Sequence, residues 1–189
     1  MHKFMCPNNA LQSPDVSRCS LEVNSVRVNS LMAVNVYQVP SNAIIGAMSS
    51  AFNMIQSVRI AQQAAVALGH SAVAANYSAI NARLTKAFHN KFYTNDASIY
   101  GDGTQPALVY ALWLRAAPPA LESATVARLL ALLHNGTAQC STTPCLDTGI
   151  LATKWLMETL SQHNQSGLGL ALALKTDYPS WGCVGGLQS

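Results

Sequence analysis

Charge is scarce in this sequence. Asp, Glu, Lys and Arg make up 10% of its 189 residues, against roughly 25% in an ordinary soluble domain. The formal net charge is +3, and Arg59, Arg83, Lys86, Lys91, Arg115, Arg128 and Lys154 form no run. A nucleic-acid surface needs a basic patch or stripe, so no nucleic-acid partner is expected. Long apolar runs are missing too. Residues 129–133 and 168–174 fall far short of the roughly 18 residues that a membrane span needs, so no membrane partner is expected. The first residues show no apolar core of the kind a secretory leader carries, which by itself assigns no compartment. The five cysteines, Cys6, Cys19, Cys140, Cys145 and Cys183, form no C-x-x-C pair and no Cys/His metal spacing. Unpaired thiols are the favoured reading, with a Cys140–Cys145 bridge as the alternative. Gly101-Asp102-Gly103 lacks the further glycine and the lysine of a phosphate loop. There is no G-x-S-x-G elbow, and none of the histidines has a Ser or Cys partner implied by sequence. No cofactor and no metal are expected.

What is present is apolar. Half of the residues are hydrophobic, so order rather than disorder, and one domain with a real core, are expected. Low charge fits an alanine- and serine-rich surface, or helices buried against parts of a larger protein. Residues 1–38 are an unassigned, irregular lead-in in which residues 23–36 can form one or two strands. From Pro40 the pattern turns helical. Ser41 or Asn42 can cap a first helix that Gly69 ends. Ser71 can cap a second, whose Val73, Tyr77, Ile80, Leu84, Phe88 and Phe92 recur at helical spacing. A turn-rich loop covers residues 94–103. Further helices are expected from Thr104 or Gln105 to Arg115, from Leu121 to His134, from Thr148 to His163 and from Ser166 to Lys175. Pro118 and Pro119 break the third.

Charge alternates along this series. Residues 41–58 and 104–114 carry none, whereas the second and fourth helices carry Arg83, Lys86, Lys91, Glu122 and Arg128. A charge-free helix is usually buried on most sides. Alternating buried and half-exposed helices suit a ring of helical hairpins, and a solenoid or bundle gives a similar pattern. The expected class is all-α, with about three helical hairpins over residues 39–189.

Candidate chemistry is thin. Asp96, Asp102 and Asp147 read as turn or cap residues, Glu158 as a solvated helix position, and no pair announces itself as acid and base. Trp113 and Trp155 fall in apolar helices and read as core. Trp181 follows Pro179-Ser180 and precedes Gly182, so it is either a loop anchor or a pocket wall.

Three segments carry a resemblance. Ile99-Tyr100-Gly101-Asp102-Gly103-Thr104-Gln105-Pro106-Ala107 is similar to a Y-G-x-G-T-Q-T-A turn. Asp147-Thr148-Gly149-Ile150-Leu151-Ala152-Thr153-Lys154 is similar to a T-G-x-x-G-T-x-x-L helix start. Tyr178-Pro179-Ser180-Trp181-Gly182 is similar to a Y-P-S-W-G segment. In this order they resemble the second half of the catalytic barrel of α-L-rhamnosidases, glycoside hydrolases of six-hairpin fold, and the resemblance implies a partial (α/α) six-hairpin toroid of about three helical hairpins over residues 39–189. The resemblance covers roughly residues 39–184 and implies a rhamnose-containing glycoside or oligosaccharide as partner. It maps Trp181 and Tyr178 onto substrate binding. The family's proposed acid block and its T-x-W-E base segment have no counterpart here, and Ala152 stands where the family pattern has Gly. No catalytic residue is therefore carried over. The chain is expected to be a fragment, inactive alone, with the remainder of the barrel as its partner. Rival readings are another six-hairpin carbohydrate enzyme, glucoamylase-like or an unsaturated uronyl hydrolase, and a non-catalytic helical scaffold or interaction module.

Overall fold

The computed structural model describes residues 22–23, 26–27, 42–95, 99–136, 140, 142–177 and 180. Among these, six helices dominate: α1 (Asn42–Ala67), α2 (Ser71–Phe92), α3 (Gln105–Trp113), α4 (Pro119–Asn135), α5 (Gly149–Gln162) and α6 (Ser166–Leu174). Strand structure among the described residues is limited to two antiparallel ladders. β1 (Glu22–Val23) pairs with β2 (Val26–Arg27), and β3 (Tyr93–Thr94) pairs with β4 (Ile99–Tyr100). The expected all-α class holds. No helix among the described residues is long and apolar enough to cross a membrane. The chain divides into two compact units, Pro40–Leu129 and Met1–Val39 with Leu130–Ser189, and the division falls within α4.

In the unit Pro40–Leu129, α1 and α2 form a hairpin packed along their length. Gly69 makes the turn at φ +75°, and the N–H groups of Gly69 and His70 close on the carbonyls of Val66 (3.0 Å) and Ala65 (2.9 Å). Glycine suits this left-handed cap because it has no Cβ to strain. The helix after it is entered at His70, with no side-chain cap. Ser71, the expected cap, lies inside the first turn. Met48, Phe52 and Ile55 recur every three or four residues on α1 and are fully buried. Phe52 packs against Tyr110 at 4.6 Å and edge-on against Trp113 at 5.3 Å between ring centroids. Truncation of Phe52 to alanine there costs about 3–5 kcal/mol.

The two charge-free stretches behave differently. Every residue of α3 from Ala107 to Leu112 is buried, as a helix without charge on any side predicts. α1 buries one stripe only, and Ile44 and Met54 on its charge-free part stand exposed. The prolines also have a second role. Pro119 is the first residue of α4, where its missing N–H would have had no helical partner. The fourth helix therefore starts two residues before the expected Leu121.

In the unit containing Leu130–Ser189, α5 and α6 form a second hairpin. Its turn uses Asn164 at φ +58°, with Asn164 and Gln165 donating to Ser161 (3.2 Å) and Leu160 (2.7 Å). Asparagine is the ordinary substitute for glycine in this conformation. Leu133, Cys145, Ala152, Leu156, Leu160 and Leu172 are buried in this unit.

Candidate functional site

The T-G motif owes its glycine to backbone geometry. Gly149 opens α5 at φ +64°, a value that an L side chain adopts only under strain. The Thr153 hydroxyl donates to the Gly149 carbonyl at 2.7 Å and lies 2.8 Å from the Thr148 hydroxyl, which ties the first turn together. Ala152, in place of the family's glycine, is fully buried, so its methyl is accommodated in the interior.

α6 ends at Leu174, and Lys175 continues in extended backbone. The Lys175 side chain is buried. Its ammonium donates to the Thr142 hydroxyl at 2.7 Å and to the Thr142 carbonyl at 3.3 Å, and lies 3.4 Å from Asp177 Oδ2. The Thr142 hydroxyl in turn donates to Asp177 Oδ2. That hydrogen bond, helped by the Lys175 charge and opposed by slight desolvation, holds the Asp177 carboxyl below the usual carboxylate range. The result is a charge-compensated anchor immediately before Tyr178-Pro179-Ser180-Trp181-Gly182. Ser180 is buried. Tyr178 and Trp181, the two sequence-predicted substrate contacts, lie outside the described residues.

A disulfide joins Cys140 and Cys145, with Cα atoms 5.7 Å apart, around the loop that presents Thr142. This overturns the expectation of unpaired thiols. The Cys145 N–H donates to the Leu133 carbonyl at 2.8 Å, which folds the loop back on the end of α4 and brings the two cysteines together.

The turn into α3 is built from its own motif. Tyr100 is fully buried, with its hydroxyl 2.7 Å from His89 Nδ1. His89 stacks on Tyr93 at 4.9 Å. Burial, then the neighbouring Tyr93, pushes the Tyr100 phenol well above its ordinary value. Gly101 sits at φ +61°. Asp102 Oδ1 accepts from the Thr104 N–H (3.2 Å) and hydroxyl (2.7 Å), which makes it the expected turn former. Its Oδ2 is buried with no partner among the described residues.

Other candidates are dispersed. Glu158 sits 3.9 Å from Lys154 one turn away on α5. Glu122 lies in the first turn of α4, where a carboxylate complements the helix dipole. Asp147 is partly buried ahead of α5, and Asp96 lies outside the described residues. The two helical tryptophans, expected as core, are partly buried, and each has a cation over its ring: Arg59 over Trp113 at 5.3 Å and Lys154 over Trp155 at 4.5 Å. No group of three or more His, Cys, Asp or Glu among the described residues is placed to hold a metal ion. The Thr142–Lys175–Asp177 anchor had no signal in the sequence, since its partners lie more than thirty residues apart (a separation of 33 for Thr142 and Lys175).

Residues 41–185 match the family model of the bacterial α-L-rhamnosidase six-hairpin glycosidase domain. The chain belongs to that family. Its helices are thus part of a six-hairpin (α/α) domain. An α-L-rhamnosidase of Streptomyces avermitilis is 32% identical over 126 residues, which is 67% of this chain and 11% of that protein. An α-L-rhamnosidase of Alteromonas sp. (strain LOR) is 30% identical over 134 residues, 70% of this chain and 14% of that protein. The chain therefore spans a small part of the curated relatives it matches. The crystal structure of the Streptomyces avermitilis α-L-rhamnosidase complexed with L-rhamnose is similar over 78% of this chain and 13% of its own, at 28% identity and TM-score 0.59. The native α-L-rhamnosidase of Aspergillus terreus, at 23% identity and TM-score 0.58 over 67% of this chain and 14% of its own, shares the fold.

Proposed function

We propose that this chain is a portion of an α-L-rhamnosidase that hydrolyses terminal α-L-rhamnosides with inversion, and that residues 39–189 supply part of its barrel without the proton-transfer groups. The family match over residues 41–185 carries the proposal. Inversion requires one carboxyl group to protonate the leaving oxygen and another, about 6.5–9.5 Å away, to activate water. Both come from the remainder of the barrel, which covers apolar side chains such as Leu170 and Leu174 that stand exposed here. Within this chain, Tyr178 and Trp181 contact the sugar. The Lys175–Thr142–Asp177 anchor and the buried Ser180 hold the backbone on either side of Tyr178, and an indole face packs on the apolar face of a deoxy-sugar.

The purified chain should not turn over an aryl α-L-rhamnoside. A chimera in which residues 41–185 replace their counterpart in the Streptomyces avermitilis enzyme should, with inversion followed by proton NMR. In that chimera Trp181→Ala should raise KM more than it lowers kcat. Turnover by the isolated chain, abolished by a single Asp or Glu substitution within it, would sink the proposal.

A further inference from the structure

We propose that Arg59, Lys86, His89 and Arg115 form a binding site for an acidic saccharide, a sugar bearing a carboxylate or a sulfate. A cavity of about 520 Å³ opens in the unit Pro40–Leu129 between these four residues, with Asn81 and Asn90 among its walls. That volume lies within the range of roughly 300–1,000 Å³ typical of small-molecule sites. No acidic side chain lines it. The reason is written in the chain: no Asp or Glu occurs between Glu22 and Asp96, so α1 and α2 bring cations and no carboxylate.

Arg59 is already held in place. Its Nε donates to Asn81 Oδ1 at 3.1 Å, its Nη2 donates to the Leu114 carbonyl at 2.7 Å, and its plane rests over Trp113. A planar guanidinium fixed in this way suits an oxyanion. Because Asn81 Oδ1 accepts from Arg59, its amide N–H groups remain to meet a hydroxyl. His89 uses Nδ1 on Tyr100, which leaves Nε2 for a ligand. Burial, and then the positive charge of Arg115, lowers the Arg59 pKa, as expected of like charges facing a space that an anion would fill.

Arg115 supplies a second, independent observation. It occupies the left-handed cap of α3 at φ +53°, with Arg115 and Ala116 donating to Leu112 and Ala111 at 2.9 Å each. The same cap ending α1 carries Gly69, and the one ending α5 carries Asn164. Arginine is the costly choice for this position, and strain of this kind concentrates at ligand clamps. Here it places a guanidinium at the rim of the cavity. The volume exceeds what a bare ion needs, and the paired amides suit hydroxyls, which favours a sugar-borne anion.

The site stands on geometry within one unit and is independent of rhamnoside hydrolysis. The test is calorimetric and NMR titration of the full 189-residue chain with D-glucuronate, D-glucose and inorganic sulfate. Glucuronate should bind at least tenfold more tightly than either control, should weaken as salt is raised, and should shift the side-chain amide resonances of Asn81 and Asn90. Arg115→Gln and Lys86→Gln, both at exposed positions that leave the core intact, should each weaken binding roughly tenfold. Arg115→Gly should weaken it equally while raising Tm by about 2–4 °C through relief of strain. Glucose binding as tightly as glucuronate, sulfate matching it, full affinity in Arg115→Gln, or a lowered Tm in Arg115→Gly would each overturn the proposal.

Discussion

Substitution of Gly101 by alanine separates two physical costs that the turn into α3 combines. The first is conformational. At φ +61° an L residue is strained by about 1–2 kcal/mol. The second is steric. A Cβ at Gly101 would stand 2.5 Å from Met48 Sδ, 3.2 Å from Ile44 Cγ2 and 3.4 Å from Ala107 Cβ. Met48 is fully buried and cannot swing into solvent, so the clash must be relieved inside a packed core. Overpacking of this kind costs about 1–3 kcal/mol. Gly101→Ala should therefore destabilise the unit Pro40–Leu129 by about 2–5 kcal/mol. Gly69 is the internal control: it has φ +75°, yet an added Cβ meets nothing within 4 Å. Gly69→Ala should cost only the conformational term. The assay is urea unfolding followed by far-ultraviolet circular dichroism. With a slope of about 2 kcal/mol per molar, the steric difference of about 1–3 kcal/mol should separate the two midpoints by roughly 0.5–1.5 M. In a Met48→Ala background the cost of Gly101→Ala should fall towards that of Gly69→Ala. Equal midpoints for the two glycine variants, or no change on removing Met48, would refute the steric account.

Thr142→Val should lower stability by about 1–3 kcal/mol at neutral pH, because the buried Lys175 ammonium loses one of its acceptors. The Asp177 carboxyl has a depressed folded pKa, so its contribution is present above about pH 4 and is lost as pH falls through the folded value. Asp177 is half-exposed, which limits that share to under about 1 kcal/mol. Wild-type and variant stability curves should thus converge partway below about pH 4, and parallel curves would show that Asp177 takes no part. Reduction of Cys140–Cys145, or the double Cys→Ser variant, should cost about 2 kcal/mol, the low end for a short loop. A melting temperature indifferent to reductant would contradict the bridge. Exposed apolar side chains, Val66 at 64%, Leu68 at 70% and Leu174 at 71% among them, should make the purified chain bind hydrophobic dye and self-associate. A sharp monomer peak with no dye binding would count against this.

The sequence alone determined the helices, the class and the family. Helical spacing from Val73 to Phe92, and Gly69 after α1, act within a turn or two of chain, so they can be read without a partner. The family motifs are legible for the same reason: Gly101, Gly149 and Asp102 serve turns built from their immediate neighbours. What only the tertiary structure decided depends on residues distant in the chain. The charge-free pattern of α1 could not say that it buries one stripe while α3 is buried throughout, since burial depends on which elements pack against each. The Cys140–Cys145 bond required the loop to fold back on Leu133. Lys175 meets Thr142 across 33 residues, and Arg59 meets the Leu114 carbonyl across 55. Arg115 gave no sign of a left-handed backbone, because arginine carries no preference for it. Local preference is a matter of roughly a kilocalorie per residue, whereas burial and buried hydrogen bonds weigh several times that once the chain has closed on itself.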